Sequence, residues 1–250
     1  MSSSTTPSKV SPTKLALPTE PSVLSQLPTD HIMLFYGPPG VGKTTFVNQL
    51  GQRVLFLSTD RGTRSIKSLR IEVPTVDKLE AAIDALEAAK SLPYDIICLD
   101  HIDDVCHMLA DAVCEALGVD ALSDAGYGKG WKLFADGLHN VVARLKALNT
   151  GLVFICHETI KTIKAQGLET DRTMPDIVKS AWKLLIPLVD LVGYCGFTPV
   201  KNAEGKREEI RTLTTTPRED LYAKDRTLRV RPNGIEKLDG SKFISTFKKV

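Results

Sequence analysis

Eight consecutive residues, Gly37-Pro38-Pro39-Gly40-Val41-Gly42-Lys43-Thr44, follow the pattern GxxxxGK[ST], and Thr45 comes directly after. Glycines let the backbone turn so that successive N–H groups face inward, and such a concavity suits phosphate oxygens. A lysine at this place reaches the β- and γ-phosphates, and the hydroxyl after it ligates Mg²⁺. An apolar run, His31–Tyr36, precedes the motif, and Lys43–Leu50 reads as a helix whose N-terminus faces the same anion. The expected chemistry is binding of ATP and Mg²⁺ by the segment from Gly37 to Thr45, with Thr44 on the metal.

Asp100 ends the run Asp95-Ile96-Ile97-Cys98-Leu99-Asp100. Four apolar residues and then a carboxylate place Asp100 at the carboxyl edge of a buried strand, where it would join Thr44 in the Mg²⁺ shell. A strand-terminal aspartate can also cap the next helix. His101, not Glu, follows it, which departs from the pattern of AAA+ ATPases, where a Glu after this Asp polarises water; the base would then come from elsewhere. Asp60, at the end of Val54-Leu55-Phe56-Leu57-Ser58-Thr59-Asp60, is the candidate. Its position before Arg61-Gly62 also fits a simple turn. A metal site on His101, Cys106, His107 and Cys114 is not expected, because the spacing matches no zinc pattern.

These residues must be carried to one edge by buried strands. Val54–Ser58, Asp95–Leu99 and Gly151–Cys156 are unbroken apolar runs, as strands covered on both faces require. Between them, Val76, Leu79, Ile83 and Leu86 recur at helical spacing, so about 75–90 is an amphipathic helix; Ile102–Leu117 is another. Phe134, Leu138, Val141, Leu145 and Leu148 mark a further helix face. Ala121–Gly130 reads as a mobile glycine-containing loop and 158–175 as a polar loop. Trp182–Leu188 reads as a helix end, Asp190–Phe197 as a strand, and Glu208–Thr216 as its partner across a turn at 201–206. The alternation predicts an α/β fold, a mostly parallel sheet flanked by helices with a C-terminal β-hairpin extension.

The arrangement resembles the RecA-like ATPase core, in which a carboxylate after the second strand activates water. The usual residue there is Glu; Asp60 is one methylene shorter. The chain is more closely similar to a phage-encoded group of small RecA-like ATPases, described as phage nucleotide-binding or single-strand annealing proteins. The matching pieces are GPPGVGKTT at 37–45, LFLSTDRGTRSI at 55–66, DIICLDHIDDV at 95–105, FICHET at 154–159 and AKDRT at 223–227. The resemblance implies that the strand ending in Phe154-Ile155-Cys156-His157-Glu158 lies between the strands of the phosphate loop and of Asp100. His157 would then contact phosphate or water, with Glu158 orienting it. A solvated strand-end histidine is the plainer alternative. Lys224-Asp225-Arg226 resembles the KxR element through which RecA relatives reach the γ-phosphate of a neighbouring subunit; a solvated charged turn is the other reading. None of the motifs supplies an arginine within the same subunit.

In RecA relatives the loop after the sensor strand touches single-stranded DNA. Lys161, Lys164 and Arg172 stand there without an aromatic platform, while Tyr127, Lys129 and Trp131 in the other loop could supply stacking and charge. The implied partners are single-stranded DNA, further copies of the chain in a ring or filament, and a single-strand-binding protein. The expected process is phage DNA recombination or annealing driven by ATP hydrolysis. A ring-forming DNA motor, or a nucleotide-dependent switch or scaffold with little turnover, stays open.

Composition fits this frame. The 250 residues carry 32 basic and 30 acidic side chains, a balance of +2 that excludes a polycationic chromatin-type protein. The span 72–124 is strongly acidic and 200–250 basic, a contrast suited to subunit contacts or nucleic acid. The longest apolar stretch, about Leu184–Val189, is far short of the roughly 20 residues of a membrane span. Five cysteines without a CxxC pair argue for reduced thiols and a cytoplasmic setting, the host cytoplasm for a phage protein. Residues 1–30 hold 17 Ser, Thr or Pro and no aromatic, so they read as a flexible tail before an ATPase domain over 31–250.

Overall fold

The computed structural model describes residues 19–21, 25, 27–165, 168–201, 204–230, 235–236 and 238–247. The expectation of a flexible tail falls mostly on residues outside this set. Pro28–Asp30 form a 3-10 turn, with Thr29 lying against Gly151.

The apolar runs form strands where expected: β1 (Ile32–Tyr36), β2 (Val54–Ser58), β4 (Ile96–Asp100) and β5 (Gly151–Cys156). A short parallel edge strand, β3 (Leu69–Glu72), escapes a pattern reading because it is largely exposed. β8 (Leu191–Lys201) and β9 (Arg207–Thr214) make the expected C-terminal hairpin. β10 (Lys224–Asp225) pairs with β8, and β11 (Ile235–Glu236) pairs with β9. The order is β11-β9-β8-β1-β5-β4-β2-β3. All pairs from β8 through β1 to β3 are parallel, and the pairs made by β9, β10 and β11 are antiparallel. The fold is thus α/β, and β5 lies between the phosphate-loop strand and the Asp100 strand, as the RecA-like resemblance implied.

Strand side chains alternate between two apolar layers. On one face Leu34, Tyr36, Leu57, Leu99 and Phe154 pack under α2 (Val76–Ala88), α3 (Ile102–Leu117), α4 (Lys129–Ala147) and α5 (Lys179–Leu188). On the other, Met33, Phe35, Phe56, Cys98 and Ile155 pack under α1 (Lys43–Asn48) and α6 (Gly240–Phe247). Helix α6 had no sequence signal assigned to it. It completes an aromatic cluster in which Phe243 meets Phe35 and Phe46 edge-on at 5.9 and 5.6 Å, and Phe247 at 4.9 Å. Its first residue, Gly240, donates its N–H to Gln49 Oε1 at 2.9 Å, which ties the C-terminal segment to the phosphate-loop helix.

The polar loop expected over 158–175 is instead a two-stranded antiparallel hairpin, β6 (Glu158–Ala165) with β7 (Leu168–Pro175). The pattern hid it because Ile160 and Ile163 are three residues apart and Ile160 is exposed, so no strand face is buried. The loop expected over 121–130 contains a 3-10 turn, Leu122–Asp124, and the first turn of α4. Part of the acidic stretch is neutralised within the chain: Glu80, Asp84 and Glu87 of α2 all converge on Arg144 of α4.

Candidate functional site

The carboxyl ends of β1, β2, β4 and β5 open on a cleft of about 480 Å³. That volume lies within the range of small-molecule sites. Its walls include Gly40, Gly42, Lys43, Thr44 and Thr45 of the phosphate loop, Asp60 and Gly62 after β2, His101 after β4 and His157 after β5. Residues far apart in sequence therefore share one edge of the sheet.

The loop needs its glycines. A Cβ on Gly37 would lie 1.9 Å from the carbonyl oxygen of Cys195 on β8, so only glycine lets the loop leave β1 here. Gly42 has φ +99° immediately before α1, a conformation other residues rarely adopt. Pro38, Pro39 and Val41 complete the turn, with Val41 fully buried. Lys43 is nearly buried and donates to the carbonyls of Gly37 and Pro38 at 2.8 and 3.1 Å, spanning the loop. Burial pulls its pKa below the usual lysine range, against the opposing carboxylates of Asp100 and Asp103.

Thr44 donates its hydroxyl to Asp100 Oδ2 at 3.0 Å. Asp100 is 1% exposed, and its other oxygen, Oδ1, accepts no hydrogen bond. That oxygen lies 3.1 Å from His101 Nε2 without hydrogen-bond geometry. Burial raises the Asp100 pKa, while His101, Thr44 and Lys43 pull it down. A buried carboxylate oxygen lacking a donor, beside a threonine hydroxyl, fits one sector of a Mg²⁺ shell completed by phosphate and water. No group of three His, Cys, Asp or Glu among the described residues could hold a metal by itself.

Asp60 is exposed and stands in the turn as well as in the cleft. Its Oδ1 accepts the Gly62 N–H at 2.8 Å, while Oδ2 makes no hydrogen bond among the described residues. His157 is oriented by a residue that sequence reasoning missed. Asp103, in the first turn of α3 and almost fully buried, meets His157 Nδ1 at 2.6 Å through Oδ2, and its Oδ1 accepts the His157 backbone N–H at 3.3 Å. This corrects the expectation for Glu158: no hydrogen bond among the described residues joins its side chain to His157, and its Oε2 is buried without a partner. No local pattern singles out Asp103, one of two acids in the first turn of the helix after Asp100; only the pairing of β5 with β4 brings His157 to it. A carboxylate accepts only, so Nδ1 carries the hydrogen and Nε2 is left to face a ligand.

The His157 and His101 rings stack with centroids 4.2 Å apart. Burial lowers the His101 pKa, but Asp104, Asp100, Asp103 and Asp60 outweigh it and hold the pKa above the ordinary value. Thr59 joins the ends of β2 and β4, donating to Asp104 at 2.6 Å and accepting the His101 N–H at 3.0 Å.

The other predicted residues lie apart from the cleft. β10 pairs with the first residues of β8, so Lys224 and Arg226 stand at the opposite edge of the sheet from their own phosphate loop. Lys224 Nζ donates to the carbonyls of Ile186 and Val189 at the end of α5, at 2.6 and 2.5 Å. Arg226 donates to Pro187 O at 2.8 Å, with Asp190 at 3.7 Å, and its side chain remains 55% exposed. Of the cationic candidates on the hairpin, Lys161 donates to Ile177 O at 3.2 Å, Lys164 pairs with Glu169 at 2.5 Å, and Arg172 lies over the Tyr222 ring at 5.3 Å. Lys129 is exposed at the start of α4. Lys161 and Trp131 line one small cavity of about 210 Å³ together with Asp103, so the two segments separated in sequence meet. A second missed residue, Arg211 of β9, lines the main cleft. It lies outside the motifs read from the sequence, none of which supplies an arginine within the same subunit.

A family model described as an AAA domain matches residues 29–227, and the chain belongs to that family. A solved structure described as the crystal structure of the RadB recombinase covers 83% of this chain and 86% of its own, at 12% identity and a TM-score of 0.45. No curated protein matches the chain. Among the described residues no helix is long and apolar enough to cross a membrane.

Proposed function

We propose that the protein is a Mg²⁺-dependent ATPase of the RecA-like kind that works on single-stranded DNA in recombination or annealing. The observation that carries the proposal is the convergence of Lys43, Thr44, Asp60, His101 and His157 on one cleft, with Thr44 hydrogen-bonded to Asp100. Lys43 and the loop N–H groups bind the phosphates. Thr44 and Asp100 are the residues that would hold Mg²⁺, which when bound neutralises charge on the β- and γ-phosphate oxygens. Water attacks the γ-phosphorus, its bond to the β,γ-bridging oxygen breaks, and ADP and phosphate leave. Asp60 takes the proton from water, and His157, held by Asp103, orients water or the γ-phosphate.

The resemblance of five ordered segments to small phage ATPases supports a phage origin, with 31–250 acting as one ATPase domain in the host cytoplasm. Exposed Tyr127 and Lys129, and Trp131 beside Lys161, support a contact with single-stranded DNA. The exposed Arg226, remote from its own loop, supports a ring or filament in which Lys224 and Arg226 serve a neighbour's site; a single-strand-binding protein is the further partner. Steady-state phosphate release with and without single-stranded DNA tests this reading. Release that DNA stimulates is expected; release indifferent to DNA removes the DNA part.

One observation favours a second reading. Asp60 is engaged by Gly62 and is shorter than the glutamate of RecA relatives. A site that binds ATP tightly and turns it over slowly would act as a nucleotide-dependent switch or scaffold.

A further inference from the structure

Arg211 reaches the cleft from the flank of the sheet opposite to the groups that act on water. In the strand order, β8 and β9 lie on one side of β1, and β5, β4 and β2 on the other. Asp60, Asp100 and His157 all come from the second side, whereas Arg211 comes from the first. Two residues along β9, Leu213 packs in the α1 and α6 layer, so strand alternation points Arg211 to that same face, over the phosphate loop. Arg211 Nη1 is 3.4 Å from where a Cβ on Gly42 would stand.

The strand beneath it is fixed. Arg211 pairs with Phe197 across the hairpin, and its carbonyl accepts the Leu238 N–H at 2.8 Å. Leu238 leads into α6, which is anchored on Gln49 and on Phe35 and Phe46. The guanidinium, in contrast, is exposed and makes no hydrogen bond or ion pair among the described residues. A cation on a clamped backbone, unpaired and facing a loop built for phosphate, is prepared for an anionic ligand.

We infer that Arg211 binds the nucleotide of its own subunit at the part that ADP and ATP share, the α- and β-phosphates, and takes no part in the transfer of the γ-phosphoryl group. The inference rests on the nucleotide-site reading above. It makes Arg211 a binding residue distinct from an arginine finger, which meets charge developing only in the transition state.

The test is calorimetric binding of Mg·ADP and Mg·ATP to the full chain and to Arg211→Ala and Arg211→Lys, with turnover measured beside it. Arg211→Ala should lose about tenfold or more in affinity for both nucleotides, equally, with KM raised and kcat nearly unchanged. Arg211→Lys should recover part of the affinity, which a merely structural role would not predict. Unchanged binding by a folded Arg211→Ala protein overturns the inference while leaving the phosphate-loop reading intact. A collapse of kcat with unaltered ADP affinity also overturns it, because Arg211 would then act on the γ-phosphate. If the unaltered protein binds neither nucleotide, the site reading itself fails, and this inference with it.

Discussion

Asp103 holds His157 by two contacts, Oδ2 to Nδ1 at 2.6 Å and Oδ1 to the backbone N–H at 3.3 Å, and so fixes both the ring and the strand end that carries it. A buried carboxylate in this place sets which ring nitrogen is protonated. Asp103→Asn preserves size but can present an amide N–H to Nδ1 and reverse that choice. ATP affinity should stay within a few-fold, and phosphate release should fall by about 10²-fold, the scale of a lost proton-handling group. Unchanged release would remove His157 from the reaction.

Asp60→Asn tests the base directly. The side chain keeps its size and can still accept the Gly62 N–H, so the turn should survive. ATP binding is expected to persist while hydrolysis slows by about 10²-fold or more. Full activity in this variant would reassign the base, with His157 the next residue to substitute.

Arg226 is expected to act across an interface. Arg226→Ala should leave ATP affinity largely intact and cut turnover by about 10³-fold, the scale of an arginine finger. Mixed with Lys43→Ala, itself inactive, it should regain activity, because some interfaces then join an intact loop to an intact arginine. Free subunit exchange without recovery would show that Arg226 serves only to bond the end of α5, as it does within one chain.

Phe243 tests how far the C-terminal helix supports the loop. Its ring is fully buried between Phe35 and Phe46. Phe243→Ala should cost about 3–5 kcal/mol in urea unfolding. Nucleotide affinity should fall with it, since α6 packs on the helix that begins at Lys43. A loss under about 1 kcal/mol would mean that α6 docks weakly.

Sequence alone carried the strands, the phosphate loop and Asp100, because each is a local pattern: an unbroken apolar run, or glycines at fixed spacing before Lys-Thr. Helix Ile102–Leu117 and strand Gly151–Cys156 are found at those bounds. What escaped depends on tertiary pairing. The β6–β7 hairpin buries no face, so its side chains carry no period. Asp103 looks like any first-turn acid on a helix until β5 is laid beside β4 and brings His157 to it. Arg211 sits among charged hairpin residues and gains meaning only when β9 is placed next to β8 and over Gly42. Lys224 matched a motif, yet its ammonium also satisfies two carbonyls that α5 leaves open at its end.

Lys43, whose ammonium spans the loop that lines the cleft, is the residue on which the proposed phosphate chemistry most depends. The direct measurement is Mg²⁺-dependent phosphate release from ATP by the unaltered chain and by Lys43→Ala, each shown to be folded by circular dichroism. Release by the unaltered chain that chelation abolishes is expected, and none above background by the variant. Equal release by a folded Lys43→Ala protein would contradict that role.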